Sequence, residues 1–227
     1  MKEYLKGRHV ALIDMDGTLY DSMPGHAAAW KRLMDEQGVF LNSDEFYSYE
    51  GMTGAATINL LFQRELGRTA SENEVKELYA LKTKYFQEIA SRKIMPGASV
   101  MLSELKKRGF DCVLVTGSGQ RSLIDNVNQD FPGVFSHFIT SADVSRGKPH
   151  PEPYLKAMEL AGAKPEECIV IENAPLGVAS GAASGALTIG VLTGPIPAEE
   201  MKRAGAHLLF PSMTAFAEAL TDTIKEL

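Results

Sequence analysis

The sequence has little cysteine, no excess of positive charge and no long uninterrupted apolar run, and each of these absences excludes a class of protein. Its 227 residues include 29 acidic and 23 basic side chains, for a formal net charge of −6. Because no basic cluster offsets this charge, we expect no nucleic-acid partner. Residues 174–198 carry no charge, but glycines and prolines interrupt them, which predicts a helix and a buried strand rather than a membrane span.

The two cysteines, Cys112 and Cys168, each open an apolar run of strand character. Their spacing fits no cysteine metal site, so we expect two small buried side chains in a reducing compartment. The first six residues lack the apolar core of a signal peptide. These features predict a cytoplasmic protein without a membrane partner. We expect a monomer, with a weak dimer as the alternative.

What the chain does contain is the composition of an ordinary globular protein, with 44% hydrophobic and 23% charged residues. From residue 94 onwards, strand-like apolar runs alternate with helical patterns, which indicates a parallel sheet with helices on both faces. The predicted strands are 9–13, 112–115, 137–140, 168–171, 187–192 and 207–210. The helices predicted between and after them are 100–107, 121–129, 154–160, 176–184 and 212 to the end.

Between the first strand and this alternation, the sequence predicts one helix after another. Apolar residues recur at helical spacing in the segments 26–37, 57–66 and 71–89. A helical block of this size is too large for a loop, so we predict an α/β core that carries an inserted all-helical cap between two hinges. The predicted core is 1–19 and 94–227, the cap is 20–93, and the hinges lie at 18–20 and 92–96.

The first predicted strand ends in two carboxylates one residue apart, Asp14 and Asp16, followed by Gly17. In an open parallel sheet, reactive groups collect at the carboxyl ends of the strands. An Asp-x-Asp pair at such an end offers a nucleophile, a general acid and a cation site close together. Taken alone, such a pair favours the simpler interpretation of two turn-forming aspartates after a strand, and only the partners further along the chain reverse that preference.

Two other strand ends offer groups suited to phosphate. Thr116, Gly117 and Ser118 supply a hydroxyl and free backbone N–H groups at a helix start, although a simple Thr/Gly turn is the alternative. Lys148 follows a strand in a loop that contains three prolines within five residues. A lysine held there could neutralise an attacking carboxylate and a phosphoryl oxygen together, whereas the alternative is a solvated surface lysine.

The fourth strand ends in Glu172 and Asn173, whose oxygens suit a hard cation, unless Asn173 merely caps the next helix. Taken in order, Asp-x-Asp-Gly-Thr, the strand-end threonine, Lys-Pro after a strand and the acid–amide pair resemble the haloacid dehalogenase superfamily of phosphohydrolases. The resemblance covers essentially the whole chain, and its signature at 14–22 is highly specific. The helical insert and the Gly-Lys-Pro loop at 147–149 resemble the β-phosphoglucomutase-like branch, which implies a Rossmann-like core with a helical cap.

The resemblance implies that Asp14 is the nucleophile and forms an aspartyl-phosphate. Asp16 would protonate the leaving group and then activate water, which requires a raised pKa for that carboxyl. Thr116 and Lys148 would hold the phosphoryl group during transfer, with Gly117 and Ser118 in the substrate site. The resemblance also implies Mg²⁺, held by the Asp14 carboxylate, the Asp16 backbone carbonyl, Glu172 and Asn173.

Two positions depart from the sugar-phosphate mutases of this branch, whose cap loop carries a lysine and an arginine that grip the distal phosphate. Here the loop carries Glu50 and Gly51, and the loss of the arginine removes a bidentate phosphate clamp. Asn173 stands where a second acid is usual in this branch. The carboxylate lost there is matched by Glu50 in the cap, so the total charge of the candidate ligands stays the same. We hypothesise that Glu50 reaches the Mg²⁺ when the cap closes. The alternative is a Glu50 that faces solvent.

A glutamate inside the site would shrink the pocket and disfavour a sugar with two phosphates. The first choice of substrate is therefore inorganic pyrophosphate, by resemblance to a branch that hydrolyses it, and the alternative is a β-phosphoglucomutase or sugar-phosphate phosphatase. His26 resembles a pocket histidine of relatives and is assigned to substrate binding, with simple helix packing as the alternative. A phosphoacceptor signalling domain is the alternative of another class, although the helical insert and Asp16 have no place in it.

We expect Asp14→Asn to abolish turnover while the protein stays folded, because the amide cannot attack phosphorus as a carboxylate does. Turnover is measured as phosphate release, and folding by circular dichroism. A variant that keeps a near-normal rate would remove the proposed mechanism.

Overall fold

A six-stranded parallel sheet runs through the computed structural model, which describes residues 1–89, 93–119 and 121–222, without the side chains of residues 43 and 121–123. Along the sheet the strands follow the order β3-β2-β1-β4-β5-β6. This arrangement confirms the predicted α/β fold. The strands are β1 (Val10–Ile13), β2 (Asp111–Val115), β3 (Phe135–Ile139), β4 (Cys168–Glu172), β5 (Leu187–Val191) and β6 (Leu208–Phe210).

Each predicted helix has a counterpart whose bounds differ by a few residues. The helices are α1 (Lys2–Leu5), α2 (Met23–Glu36), α3 (Ser43–Phe46), α4 (Gly54–Leu66), α5 (Glu72–Ile89), α6 (Ala98–Lys107), α7 (Arg121–Asp130), α8 (Glu152–Ala161), α9 (Pro175–Ala183), α10 (Ala198–Arg203) and α11 (Met213–Asp222). The predictions missed α1, α3 and α10, which are too short to show a helical period. The predicted extension of the last helix to the end of the chain falls at 223–227, outside the described residues. Nowhere in the described ranges is a helix both long and apolar enough to span a membrane.

β1 lies at the centre of the sheet and aligns the ends of its neighbours. All four of its residues are buried, because Ala11 and Ile13 pack into the apolar cluster on one face and Val10 and Leu12 into the cluster on the other. In the parallel register, Ile13 is level with one residue of β2 and one of β4. The three strands therefore end at the same edge. The polar residues just beyond or beside these ends are Asp14, Thr116 and Asn173.

Both cysteines lie buried in these central strands and are free thiols, as the sequence predicts. Cys112 pairs with Ala11 and Cys168 with Val10, so the two flank β1 near its amino end. They pack into the apolar clusters on opposite faces of the sheet. Each therefore serves as a small apolar side chain.

The helices between β1 and α6 form a cap with an apolar core of its own. This core is a separate cluster, and its largest fully buried members include Leu33, Met34, Ile58, Leu61 and Phe62. The two connections to the sheet run side by side. The Met95 N–H donates to the Leu19 carbonyl at 2.8 Å, and the Asp21 N–H donates to the Lys93 carbonyl at 2.9 Å.

This pairing lies where the hinges are predicted. The predicted domain boundaries stay a prediction, since residues 90–92, at the second hinge, lie outside the described part of the chain.

Two leucine variants test whether the cap is a separate folding unit. Leu33→Ala should lower the stability of the cap by about 2–5 kcal/mol, because it leaves a cavity at a fully buried position. If the cap opens by itself, amide hydrogen exchange accelerates in α2, α4 and α5 and stays unchanged in β1 and β4. Leu60→Ala, at a cap position that is 41% exposed, is the control and should change little. Equal acceleration in the cap and in the sheet would contradict the predicted boundaries.

Candidate active site

Asp14 follows β1 directly and lies buried at the floor of a cleft between sheet and cap. The Lys148 ammonium donates to Asp14 Oδ1 at 2.6 Å, to Glu172 Oε1 at 2.6 Å and to the Val115 carbonyl at 3.2 Å. Its three N–H groups therefore have three acceptors. Burial alone would lower the pKa of Lys148, but the charges of Asp14 and Glu172 outweigh it and raise that pKa. Lys148 is thus a fixed, charged ammonium and not a solvated surface lysine.

Glu172 is held on both of its oxygens. Oε1 accepts from Lys148 and from the Tyr154 hydroxyl at 2.7 Å, and Oε2 accepts from the backbone N–H groups of Asn173 and Ala174. Gly177 of α9 leaves room for this carboxylate, since a Cβ there would lie 1.9 Å from Oε1. With both oxygens occupied, Glu172 is engaged in holding Lys148. The sequence-based assignment of Glu172 as a metal ligand stays a prediction.

Thr116, Gly117 and Ser118 follow β2 and line the same cleft. The Thr116 hydroxyl accepts from the Ser118 N–H at 3.1 Å, which orders the loop. The cap loop closes over it, because a Cβ on Gly117 would lie 2.9 Å from the Gly51 carbonyl oxygen. The predicted phosphate loop therefore lies beside Asp14 and beneath the cap.

Asp16 faces the cap rather than the strand end. Its Oδ1 accepts a hydrogen bond from the Ser22 hydroxyl at 2.6 Å and contacts His26 Nε2 at 3.1 Å. Burial would raise the pKa of Asp16, but its contacts with His26 and with the Ser22 hydroxyl outweigh it and lower that pKa. The expectation of a raised pKa for Asp16 is therefore wrong for the protein without substrate.

Lys82 of α5 completes this chain of contacts. Its ammonium lies 2.6 Å from His26 Nδ1 and over the rings of Trp30 and Phe86. An ammonium can only donate, so Nδ1 is the acceptor and His26 carries its proton on Nε2, which donates to Asp16. Burial lowers the pKa of Lys82 to about 8, and burial together with Lys82 lowers the pKa of His26.

Glu50 reaches into the cleft from the cap and is only 6% exposed, so the solvent-facing alternative is wrong. Its Oε1 accepts from Asn173 Nδ2 at 2.7 Å, and Asn173 Oδ1 accepts from the Thr18 hydroxyl at 3.1 Å. Gly17 makes room for both side chains, because a Cβ there would lie 2.0 Å from Asn173 Nδ2 and 2.8 Å from Glu50 Oε1. The cap loop and the end of β4 are thus joined by a direct hydrogen bond.

The donor set in the cleft fits a hard divalent cation. Burial raises the pKa of Glu50 well above its usual range, and it raises that of Asp14, with nearby carboxylates adding to both effects. Such crowding of buried acids is relieved by a cation. No group of three or more His, Cys, Asp or Glu side chains arranged for a metal occurs within the described ranges, so amide and main-chain oxygens would have to complete the site. Asp14, Glu50, Asn173 and the Asp16 carbonyl are all oxygen donors of the kind Mg²⁺ takes.

The structure brings every predicted site residue to the lining of one cleft or into hydrogen-bond contact with a residue that lines it. Sequence reasoning missed Ser22, Lys82, Tyr154 and Thr18. For Lys82 a signal existed, because it falls four residues after Leu78 and four before Phe86, on the apolar stripe of α5. A lysine at a buried position of a helix needs a hydrogen-bond or ion-pair partner. Tyr154 had no comparable signal, since aromatic residues are common in helices that pack on a sheet.

Similarity to known sequences assigns this chain to a family. Residues 9–185 match the family model described as haloacid dehalogenase-like hydrolase. Hexitol phosphatase A from Escherichia coli is 33% identical over 183 residues, which cover 79% of this chain and 81% of that protein. Glycerol-1-phosphate phosphohydrolase 2 from Saccharomyces cerevisiae is 31% identical, over 82% of this chain and 75% of that protein.

Solved structures agree in fold. A candidate β-phosphoglucomutase from Bacteroides vulgatus is 43% identical and superposes with a TM-score of 0.90, over 99% of this chain and 96% of that one. A hydrolase from Pseudomonas syringae is 26% identical with a TM-score of 0.85, over 95% and 99% of the two chains. With the family model, these similarities confirm the resemblance seen in the sequence. This chain belongs to the haloacid dehalogenase-like hydrolases and is an enzyme of their phosphatase type.

Proposed function

We propose that this enzyme hydrolyses phosphate monoesters of small sugars or polyols through an aspartyl-phosphate on Asp14, with Mg²⁺ as cofactor. The observation that carries the proposal is the Lys148 ammonium, fixed 2.6 Å from Asp14 Oδ1 at the floor of the cleft. A carboxylate beside a fixed cation and a phosphate loop is suited to attack on phosphorus, since phosphoryl transfer depends on positioning and charge neutralisation.

In the first step an Asp14 carboxylate oxygen attacks phosphorus, and the bond from phosphorus to the leaving oxygen breaks. Lys148 holds the nucleophile and neutralises negative charge, while the loop from Thr116 to Ser118 orients the phosphoryl oxygens. When bound, Mg²⁺ supplies further neutralisation between the two anions, held by Asp14, Glu50, Asn173 and the Asp16 carbonyl. In the second step Asp16, now ionised, takes a proton from water, the water oxygen attacks phosphorus, and the bond from phosphorus to the Asp14 oxygen breaks. The reaction is thus split into two displacements.

The cap supplies the proton for the leaving group. Asp16 is held ionised in the resting enzyme, so it has to receive a proton before it can act as an acid. We infer that His26 passes its Nε2 proton to Asp16 while Lys82 returns a proton to Nδ1. The lowered pKa of Lys82, about 8, makes this transfer easier than it would be from an exposed lysine.

The choice of substrate class follows the relatives. Two of the relatives described above are named as phosphatases of a hexitol and of glycerol 1-phosphate, and none of the four is named as a pyrophosphatase. The first choice made from the sequence, inorganic pyrophosphate, therefore gives way to the sugar-phosphate alternative. Aromatic and apolar groups of the cap line the part of the cleft above Asp14, which suits the carbon skeleton of such a leaving group. They are Met23, Trp30, Phe46, Met52 and Tyr79.

Pyrophosphate stays a second candidate because of one observation. The buried carboxylate of Glu50, joined to Asn173, takes up space in the cleft and adds a ligand for the cation. A substrate whose leaving group is itself a phosphate would place its oxygens near Lys82, whose ammonium faces the cleft.

We further expect a cytoplasmic monomer.

A phosphate-release screen tests the proposed substrate class. With Mg²⁺ present, we expect hexitol phosphates and glycerol phosphate to be hydrolysed with a higher kcat/KM than pyrophosphate. Chelation of divalent ions should abolish release, and added Mg²⁺ should restore it. A clear preference for pyrophosphate would reverse the order of the two candidates. Release that survives chelation unchanged would contradict the cofactor.

The Glu50→Gln variant tests the proposed ligand in the cap. Loss of the carboxylate should raise the Mg²⁺ concentration for half-maximal rate by about 10- to 100-fold, the range typical when groups around a metal are changed. Calorimetric titration of Mg²⁺ into the protein without substrate gives a second readout that does not depend on turnover. Glu74→Gln, at a glutamate paired with Arg68 on the cap surface, is the matched control. Unaltered Mg²⁺ binding and dependence in Glu50→Gln would remove Glu50 from the ligand set.

A further inference from the structure

Tyr154 lies behind the floor of the cleft, in the apolar layer between α8 and the sheet. It is fully buried and packs in the cluster that contains Val10, Leu12, Val113 and Val115. It does not belong to the described lining of the cleft, so it does not contact a substrate there. A buried phenol needs a hydrogen-bond partner, and here the partner is the carboxylate of Glu172, at 2.7 Å.

Glu172 Oε1 is shared between this phenol and the Lys148 ammonium, which lies at 2.6 Å. The Lys148 ammonium lies 5.2 Å from the centre of the Tyr154 ring as well. The tyrosine therefore contacts the lysine in two ways, by its ring directly and by its hydroxyl through Glu172.

The hydrogen bond from the Tyr154 hydroxyl to Glu172 changes how strongly each of the two carboxylates, Asp14 and Glu172, attracts the Lys148 ammonium. A donor on Oε1 satisfies part of the negative charge of Glu172, so Glu172 attracts the ammonium less strongly. Lys148 can then keep its bond to Asp14 Oδ1, where the reaction takes place. Without the hydroxyl, Glu172 lacks one hydrogen-bond donor in a buried environment. It then attracts the Lys148 ammonium more strongly and draws it away from Asp14.

We propose that Tyr154 is a positioning residue that holds Lys148 on the nucleophile through Glu172. Since the proposal rests on the proposed phosphatase function, its test combines kinetics with a readout that does not need turnover. Tyr154→Phe keeps the ring and removes only the hydroxyl. We expect kcat for p-nitrophenyl phosphate to fall about tenfold, the effect of one hydrogen bond to a charged group, with KM within about twofold.

Two controls separate positioning from loss of stability. Tyr85→Phe removes an equivalent bond in the cap, from Tyr85 to Glu36 Oε2 at 2.6 Å, and should leave kcat unchanged. In a Glu172→Gln background, Tyr154→Phe should have little further effect on kcat, because the two residues act through one contact. Equal losses in both backgrounds, or an equal loss from Tyr85→Phe, would overturn the proposal.

The independent readout is hydrogen exchange of the Lys148 ammonium, followed by ¹⁵N nuclear magnetic resonance without substrate and assigned with Lys148→Met. All three N–H groups have acceptors in the wild type, so exchange with water should be slow. Tyr154→Phe should speed it at least about tenfold, because the bond from the ammonium to Asp14 Oδ1 is weakened or lost when Glu172 attracts Lys148 more strongly. Unchanged exchange would refute the role of Tyr154, whereas a wild type that hydrolyses no phosphate ester would refute the proposed function instead.

Discussion

The ammonium of Lys148 lies between two buried carboxylates, 2.6 Å from Asp14 and 2.6 Å from Glu172, and the active site depends on that contact. Removing one charge from such a group is costly, because its partners stay buried without compensation. The surrounding structure therefore supports the contact from several sides. β1 and β4 set the carboxylates beside each other, Gly177 leaves space for Glu172, and the Val115 carbonyl takes the third proton of the ammonium.

The cap adds a second polar network that reaches the same site from above. His26 links Lys82 to Asp16, and Glu50 contacts Asn173. In the mechanism that we propose, the core would supply the nucleophile, and the cap would set the states of the acid and of the cation ligands. Both networks are buried, and closure of the cap over them excludes water from the reacting groups. The cap has an apolar core of its own, and the two chain segments that join it to the sheet pair with each other at Tyr20 and Ile94.

Much of this could be predicted from the sequence. The strand ends that bear Asp14, Thr116 and Glu172 were predictable because unbroken apolar runs precede them, and parallel pairing then places them at one edge. The pKa of Asp16 was not, because burial and the contacts with His26 and Ser22 set it in the folded site, with a smaller effect from Lys82, 66 positions along the chain and on another helix. The contact of Glu172 with Lys148 was also not predicted. Its residue type suits a metal, but only the fold shows that Lys148, Tyr154 and two backbone N–H groups already occupy it.

The most direct measurement of the central claim is chemical trapping of the intermediate. The enzyme is mixed with a hydrolysed substrate and Mg²⁺, quenched in acid within one turnover and treated with borohydride, which reduces an acyl-phosphate to an alcohol. Peptide mass spectrometry should then find homoserine at position 14, and only when substrate was present. Rapid phosphate release with an unmodified Asp14, or with the label at another residue, would contradict the account.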